Sequence, residues 1–169
     1  MFRQRGIMWF FNQRGTFAKE LFSKMKENSN IYLLTGDLGY GMFDTFPLTF
    51  NNRYVNCGAS EQVMLDIACG LAIQGKIPFV YSCTSFLLCR AFETIRTYIN
   101  YEKLNVKLVG SGRDKDYLQD GISHWAEDDK DIMKLFPHIR CFRPEIPEDV
   151  PIMLNEMLID GPCYINLRR

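Results

Sequence analysis

The residues of this chain best suited to chemistry stand directly behind short apolar runs. Asn56-Cys57-Gly58-Ala59-Ser60-Glu61-Gln62 follows Tyr54-Val55 and leads into Met64, Ile67, Ala68 and Leu71, whose 3, 4 and 7 spacing forms one face of a helix. Gly58 permits backbone angles that a side chain resists, and Ser60 is suited to cap the helix, so Glu61 falls in the first turn. There the helix dipole favours the ionised carboxylate and desolvation favours the neutral acid, a competition that poises a carboxyl group to share a proton. The same seven residues also read as an ordinary capped helix whose glutamate complements the dipole. Further reactive side chains follow similar runs: Asp37 after Gly36, the segment from Ser82 to Phe86, Asp120 and His124 in a polar loop, and Arg143 before Pro144.

The elements that must position these groups alternate between two periods. Phe17, Leu21, Phe22 and Met25 stripe a first helix, and Ile31 to Thr35 reads as a buried strand halted by glycines. The helix from Ser60 runs to about Gly75, and Lys76 to Tyr81 returns as a strand. Leu88, Ala91, Phe92, Ile95 and Ile99 predict one continuous helix, followed by a strand over Val106 to Gly110 and a polar loop over Ser111 to Ser123. A shorter helix covers Lys130 to Phe136, a strand Ile139 to Phe142, a helix opens at Glu148, and Cys163 to Leu167 closes the chain as a strand. This order predicts an α/β fold, a three-layer αβα sandwich around a mostly parallel sheet. Ligands of such sheets sit beyond the carboxyl ends of the strands, which is where the reactive residues cluster.

At 169 residues the chain fits one domain, with residues 1–15 as an N-terminal arm, and 47% hydrophobic residues can fill a core. Its 20 basic and 20 acidic residues cancel, so neither nucleic acid nor an anionic membrane is implied, and near-neutrality favours self-association. Six cysteines without a CxxC pair predict reduced thiols packed in the core and a cytoplasmic protein. The apolar run after Met1 is too short for a signal-peptide core, and nothing after it is long enough to span a bilayer. No metal-ligand spacing stands out.

Taken together, seven segments resemble the pyrimidine-binding domain of transketolases: Gly36-Asp37-Leu38, Asn56 to Gln62, Ala68-Cys-Gly-Leu-Ala72 with Gly75, Pro78-Phe-Val with Phe86 and Arg90-Ala91, Asn105 to Ser111, Asp120-Gly-Ile-Ser-His124, and Arg143-Pro144. The resemblance keeps order and spacing from about Ile31 to Leu167. It implies thiamine diphosphate as cofactor, with Glu61 as the carboxylate that bonds a ring nitrogen of the aminopyrimidine and promotes its proton transfer. It places Phe86 in the segment that cradles the ring, Asp37 near the cofactor and substrate channel, and Asp120 and His124 at sugar hydroxyls, with His124 assisting proton transfer. Arg143 matches an arginine that grips a sugar phosphate, a task suited to its fork of donors.

Departures from the pattern predict a remodelled pocket. Cys83 stands where the family has an aromatic ring against the pyrimidine, a loss for which Tyr81 is the candidate substitute. Gly112 replaces a histidine, Trp125 a glutamine, and the loop Arg113-Asp114-Lys115-Asp116-Tyr117 a smaller one, which puts Arg113 at the substrate. The family's Gly-Asp-Gly motif for the diphosphate and its Mg2+ does not occur in this sequence, which stops where the pyrimidine-binding domain normally ends. The resemblance therefore predicts a split transketolase, moving a two-carbon ketol unit between sugars. A separate subunit would hold the diphosphate and the Mg2+, in a dimer or a heterotetramer of two copies of each chain. Another thiamine-dependent decarboxylase or synthase, or a non-catalytic interaction domain, are the alternatives.

Overall fold

In a computed structural model the chain is described in full over residues 11–169, together with the strand pairing of Phe2–Gln4 (β1) and Ile7–Trp9 (β2), which run antiparallel. Helix α1, Gln13–Glu27, starts where Asn12 accepts a hydrogen bond from the Gly15 amide, so the last three residues of the expected arm are already its first turn. Strand β3, Ile31–Thr35, is followed by a short helix α2, Phe46–Thr49, that the sequence reading did not contain, and then by β4, Tyr54–Asn56. Next come α3, Glu61–Ile73, β5, Ile77–Cys83, and α4, Thr84–Arg90. Helix α5, Phe92–Thr94, continues as π-helix over Ile95–Tyr101. Strand β6, Lys107–Ser111, helix α6, Asp129–Lys134, strand β7, Arg140–Phe142, helix α7, Asp149–Met157, and strand β8, Cys163–Leu167, complete the order.

The six strands β3 to β8 form one sheet in the order β4-β3-β5-β6-β8-β7, and every neighbouring pair is parallel. The chain is thus the three-layer α/β sandwich expected. Phe17, Leu21 and Met25 of α1 and Val150, Leu154 and Met157 of α7 cover one face, where Phe43, Phe46 and Phe50 add edge-on ring contacts. Helices α3 to α6 cover the other through Met64, Leu65, Leu88, Ile95, Ile99 and Met133.

Two local expectations are corrected. The buried stripe of α3 is Met64, Leu65, Ala68 and Cys69, with Leu71 half-buried and Ile67 40% exposed. Rotating the stripe in this way puts Glu61, three and four residues ahead of Met64 and Leu65, on the buried side. The continuous helix expected from Leu88 to Ile99 is broken at Ala91, whose φ of −115° and ψ of 27° are not helical, and it resumes one residue later. Among the described residues no helix is long and apolar enough to cross a membrane.

Candidate active site

After β3 the chain moves to β4 at the sheet edge, whereas after β5 it moves to β6 on the opposite side, so a crevice opens between the carboxyl ends of β3 and β5. Gly36 leaves β3 into that crevice. A Cβ there would lie 3.0 Å from Ser82 Oγ and 3.2 Å from Glu61 Oε1, so a larger residue would push these two groups aside by a few tenths of an ångström. Gly58, at φ +68°, turns the chain from β4 into α3. Ser60 occupies the N-cap position but its side chain makes no capping bond. Asn56 does the tying instead: its Oδ1 accepts from the Gly58 amide at 3.0 Å and the Asp37 amide at 3.1 Å, which fastens the Asp37 loop to the Glu61 turn.

Glu61 is the centre of this arrangement. Its side chain is 1% exposed, Ser82 Oγ donates to Oε1 at 2.8 Å, and Arg90 Nη1 donates to Oε2 at 2.9 Å. Phe86, one helical turn before Arg90, presents its ring to that guanidinium at 3.7 Å and meets the ring of His124 edge-on at 4.7 Å. His124 Nδ1 lies 3.0 Å from Ser123 Oγ, and its ring faces Phe86 while Asp128 takes the N-cap position of α6. A groove of about 540 Å3 runs alongside, walled by Phe86, Cys89, Arg90, Ile122, Trp125 and Asp128.

The remaining expected residues divide sharply. Asp37 lies exposed at the rim in the left-handed region, φ +56°, and bonds from Asn56 and Tyr40 hold its carboxyl below the usual range. Asp120 ends an exposed 3-10 turn over Leu118–Asp120. Cys83 is buried at the head of α4, where desolvation pushes its thiol up. Tyr81 does not stand in for the absent aromatic at Cys83. Its ring is committed to the core on the α1 face, where it packs edge-on against Phe43 at 5.0 Å.

Two arginines expected at the substrate are committed elsewhere. Arg113 is 1% exposed and donates to the carbonyls of Pro144 and Asn166 and to Glu145, so it braces loops from below. Arg143 puts Nη1 at 2.9 Å from both oxygens of buried Asp129 and Nη2 at 2.9 Å from Asp114. Its donor fork is filled by carboxylates that the sequence pattern could not locate, because they come from a loop and a helix start 29 and 14 residues away.

Sequence reasoning singled out the segments that hold Ser82 and Arg90 without giving either a role at Glu61, and it missed Arg14. Arg90 stands four residues after Phe86 on one helix, a spacing that signals contact. Arg14 had been assigned to the arm. It lines a second, polar pocket of about 220 Å3 with Tyr40, Tyr81, Ser111 and Tyr117. Arg14 Nη1 donates to Tyr117 Oη at 3.3 Å, Ser111 Oγ and Tyr117 Oη are 3.0 Å apart, and Arg14 Nε is buried without a partner among the described residues. Burial pushes the Tyr81 phenol up from its ordinary value of 10 to about 12. Gly112, at φ +88°, makes room for Tyr117: a Cβ there would meet the phenol ring at 2.2 Å. With no acidic residue in the first turn of α1, the helix end adds to the positive field, and the pocket suits an anion. The loop from Gly36 to Gly41 is a shared wall between this pocket and Glu61.

Comparison with known proteins gives a consistent result. The family described as "Transketolase, pyrimidine binding domain" matches residues 11–169. A putative transketolase C-terminal section of Methanocaldococcus jannaschii is 32% identical over 158 residues, covering 92% of this chain and 50% of that protein. The 6-deoxy-6-sulfo-D-fructose transketolase subunit SqwH of a Clostridium species is 30% identical, covering 92% of this chain and 49% of that protein. A solved structure described as "Split gene transketolase, inactive beta4 tetramer" superposes with a TM-score of 0.83 at 34% identity, over 94% of this chain and 52% of that one. The chain spans about half the length of the curated relatives it matches.

Proposed function

Because the chain belongs to the transketolase family through its pyrimidine-binding domain, we propose that it is the pyrimidine-binding subunit of a thiamine diphosphate-dependent transketolase that moves a two-carbon ketol unit between sugars. The observation that carries this reading is the carboxylate of Glu61, 1% exposed at the head of α3 and held between Ser82 and Arg90 beside the ring of Phe86. The chain's residues fit the planar half of that cofactor. Gly36 adds no side chain against Glu61, Phe86 offers a ring face, and the Glu61 carboxyl group can accept from a ring N–H when ionised or donate to a ring nitrogen when protonated. When bound, thiamine diphosphate supplies the nucleophilic carbon and the electron sink that ketol transfer requires. Glu61 would hold and move the proton at the ring, and Ser82 would fix the rotamer of its carboxyl group. His124, beside Phe86, and Asp120, at the rim, would bond sugar hydroxyls, and Asp37 would border the channel. An acidic end of the substrate would meet Arg14, whose pocket has free donor capacity, in place of Arg143, whose fork is taken.

Among the described residues no three His, Cys, Asp or Glu side chains converge as metal ligands. The likeness to a protein described as a transketolase C-terminal section and to one described as a transketolase subunit supports placing the diphosphate and its Mg2+ on a second subunit. The reading is tested by mixing the purified protein with a diphosphate-binding transketolase subunit, Mg2+ and the cofactor. Calorimetric binding and ketol transfer to an aldose acceptor are expected in the mixture and in neither component. A mixture that binds no cofactor, or a chain that turns over a ketose without any companion, overturns it.

A further inference from the structure

Arg90 does two things at once. It ends α4 one turn after Phe86, lays its guanidinium on that ring at 3.7 Å, and donates edge-on to Glu61 Oε2 at 2.9 Å. A flat group stacked on an aromatic face with its N–H edge against a carboxylate is also the way an aminopyrimidine would bind here. The two surfaces that the ring needs are the two that Arg90 covers. Resting on the function proposed above, we propose that Arg90 is a self-occluding gate: it competes with the aminopyrimidine for Phe86 and Glu61 and must swing outward before the ring can seat.

The surroundings suit such a swing. The Arg90 side chain is 46% exposed, and the helix breaks immediately after it, so the movement disturbs no core packing. Arg90 also lines the 540 Å3 groove, and Asp128, another lining residue, is a second carboxylate in that groove for the displaced guanidinium. The gate is a two-state element: bonded to Glu61 it closes the seat, and turned toward Asp128 it opens it. The apparent affinity for the ring is then reduced by the fraction of molecules in which the gate stands open.

The test measures cofactor binding, not turnover, in the complex of this protein with its diphosphate-binding partner and Mg2+. Stopped-flow fluorescence of Trp125, which lines the groove, reports association and dissociation of thiamine diphosphate. Arg90→Met keeps the stem and removes the fork. It is expected to bind about five- to thirty-fold tighter, mainly through faster association, as loss of a half-exposed ion pair and a cation–π contact implies. Arg90→Lys, which keeps the charge without the plane, should fall between. Asp128→Asn should slow association in the native background and have no effect in Arg90→Met. Unchanged or weaker binding by a folded Arg90→Met complex makes the arginine a spectator or a clamp and overturns the gate. Failure of the wild-type complex to bind the cofactor at all removes the functional reading itself, and the gate with it.

Discussion

Replacing Glu61 with glutamine separates a catalytic carboxylate from a structural one. The substitution keeps shape and lets the Ser82 hydroxyl still donate to the side-chain oxygen, now an amide carbonyl. It removes the ion pair to Arg90, which is 46% exposed on the arginine side, so screening limits that loss to well under about 1 kcal/mol. It also removes a charge from a position only 1% exposed, and the relief of desolvation offsets part of the loss. The net change in stability should stay within about 1 kcal/mol. For a chain of 169 residues, at about 2.1 cal/mol/K of unfolding entropy per residue, that moves Tm by about 3 °C or less. Proton transfer is affected far more, because general acid–base assistance contributes about 10²–10⁴ in rate, or about 3–5 kcal/mol in barrier height. Calorimetric Tm of the isolated protein and kcat of the complex with its diphosphate-binding partner should thus diverge, with Tm retained and turnover nearly lost. A Tm lowered by more than about 8 °C, with activity falling only in proportion, would make Glu61 a packing residue. Turnover within a factor of about three of the wild type would refute the proton role.

Arg143→Met should behave in the opposite way, because it leaves buried Asp129 with only Tyr164 and Asn166 as partners; a loss of about 3 kcal/mol, or about 8 °C in Tm, is expected, and Asp129→Asn in the same chain should recover part of it. Retained Tm with a raised KM for phosphorylated sugars would restore the substrate role first expected for Arg143. Lys107 is buried on β6 with Nζ donating to the carbonyls of Ile159 and Gly161, and desolvation lowers it from 10.5 to about 8. Below about pH 8 both states hold the proton and the folded state bears the full cost. Between about 8 and 10.5 the folded amine loses its proton first, so this group's contribution to stability rises with pH, by at most about 3 kcal/mol. Buried thiols such as Cys163 oppose it, since their raised values make stability fall as pH climbs past their ordinary range of about 9. The difference between wild-type and Lys107→Met denaturation curves across that window isolates the lysine, and a flat difference would contradict its burial.

What could be read along the chain is what is set by neighbours in the chain. The alternation of a twofold with a 3.6-residue period fixes strand and helix locally, and parallel connection follows because each strand is separated from the next by a crossover. That is enough to deliver Glu61 to the end of β4 at the head of α3, Asp37 to the end of β3 and Phe86 to α4. The break at Ala91 and the rotated stripe of α3 were not legible, because hydrophobic spacing leaves an uncertainty of about one residue that only packing against a neighbouring layer removes. The partners of charged groups were even less so. Ser82 and Arg90 reach Glu61 from 21 and 29 residues away, and Tyr117 meets Arg14 across 103. Arg113 and Arg143 look as available as Arg14 in one dimension. A guanidinium binds whichever carboxylate or carbonyl the fold brings within about 3 Å, and that choice is made by the crossing of layers, so the tertiary structure alone decided which arginines are spent on the frame and which face the site.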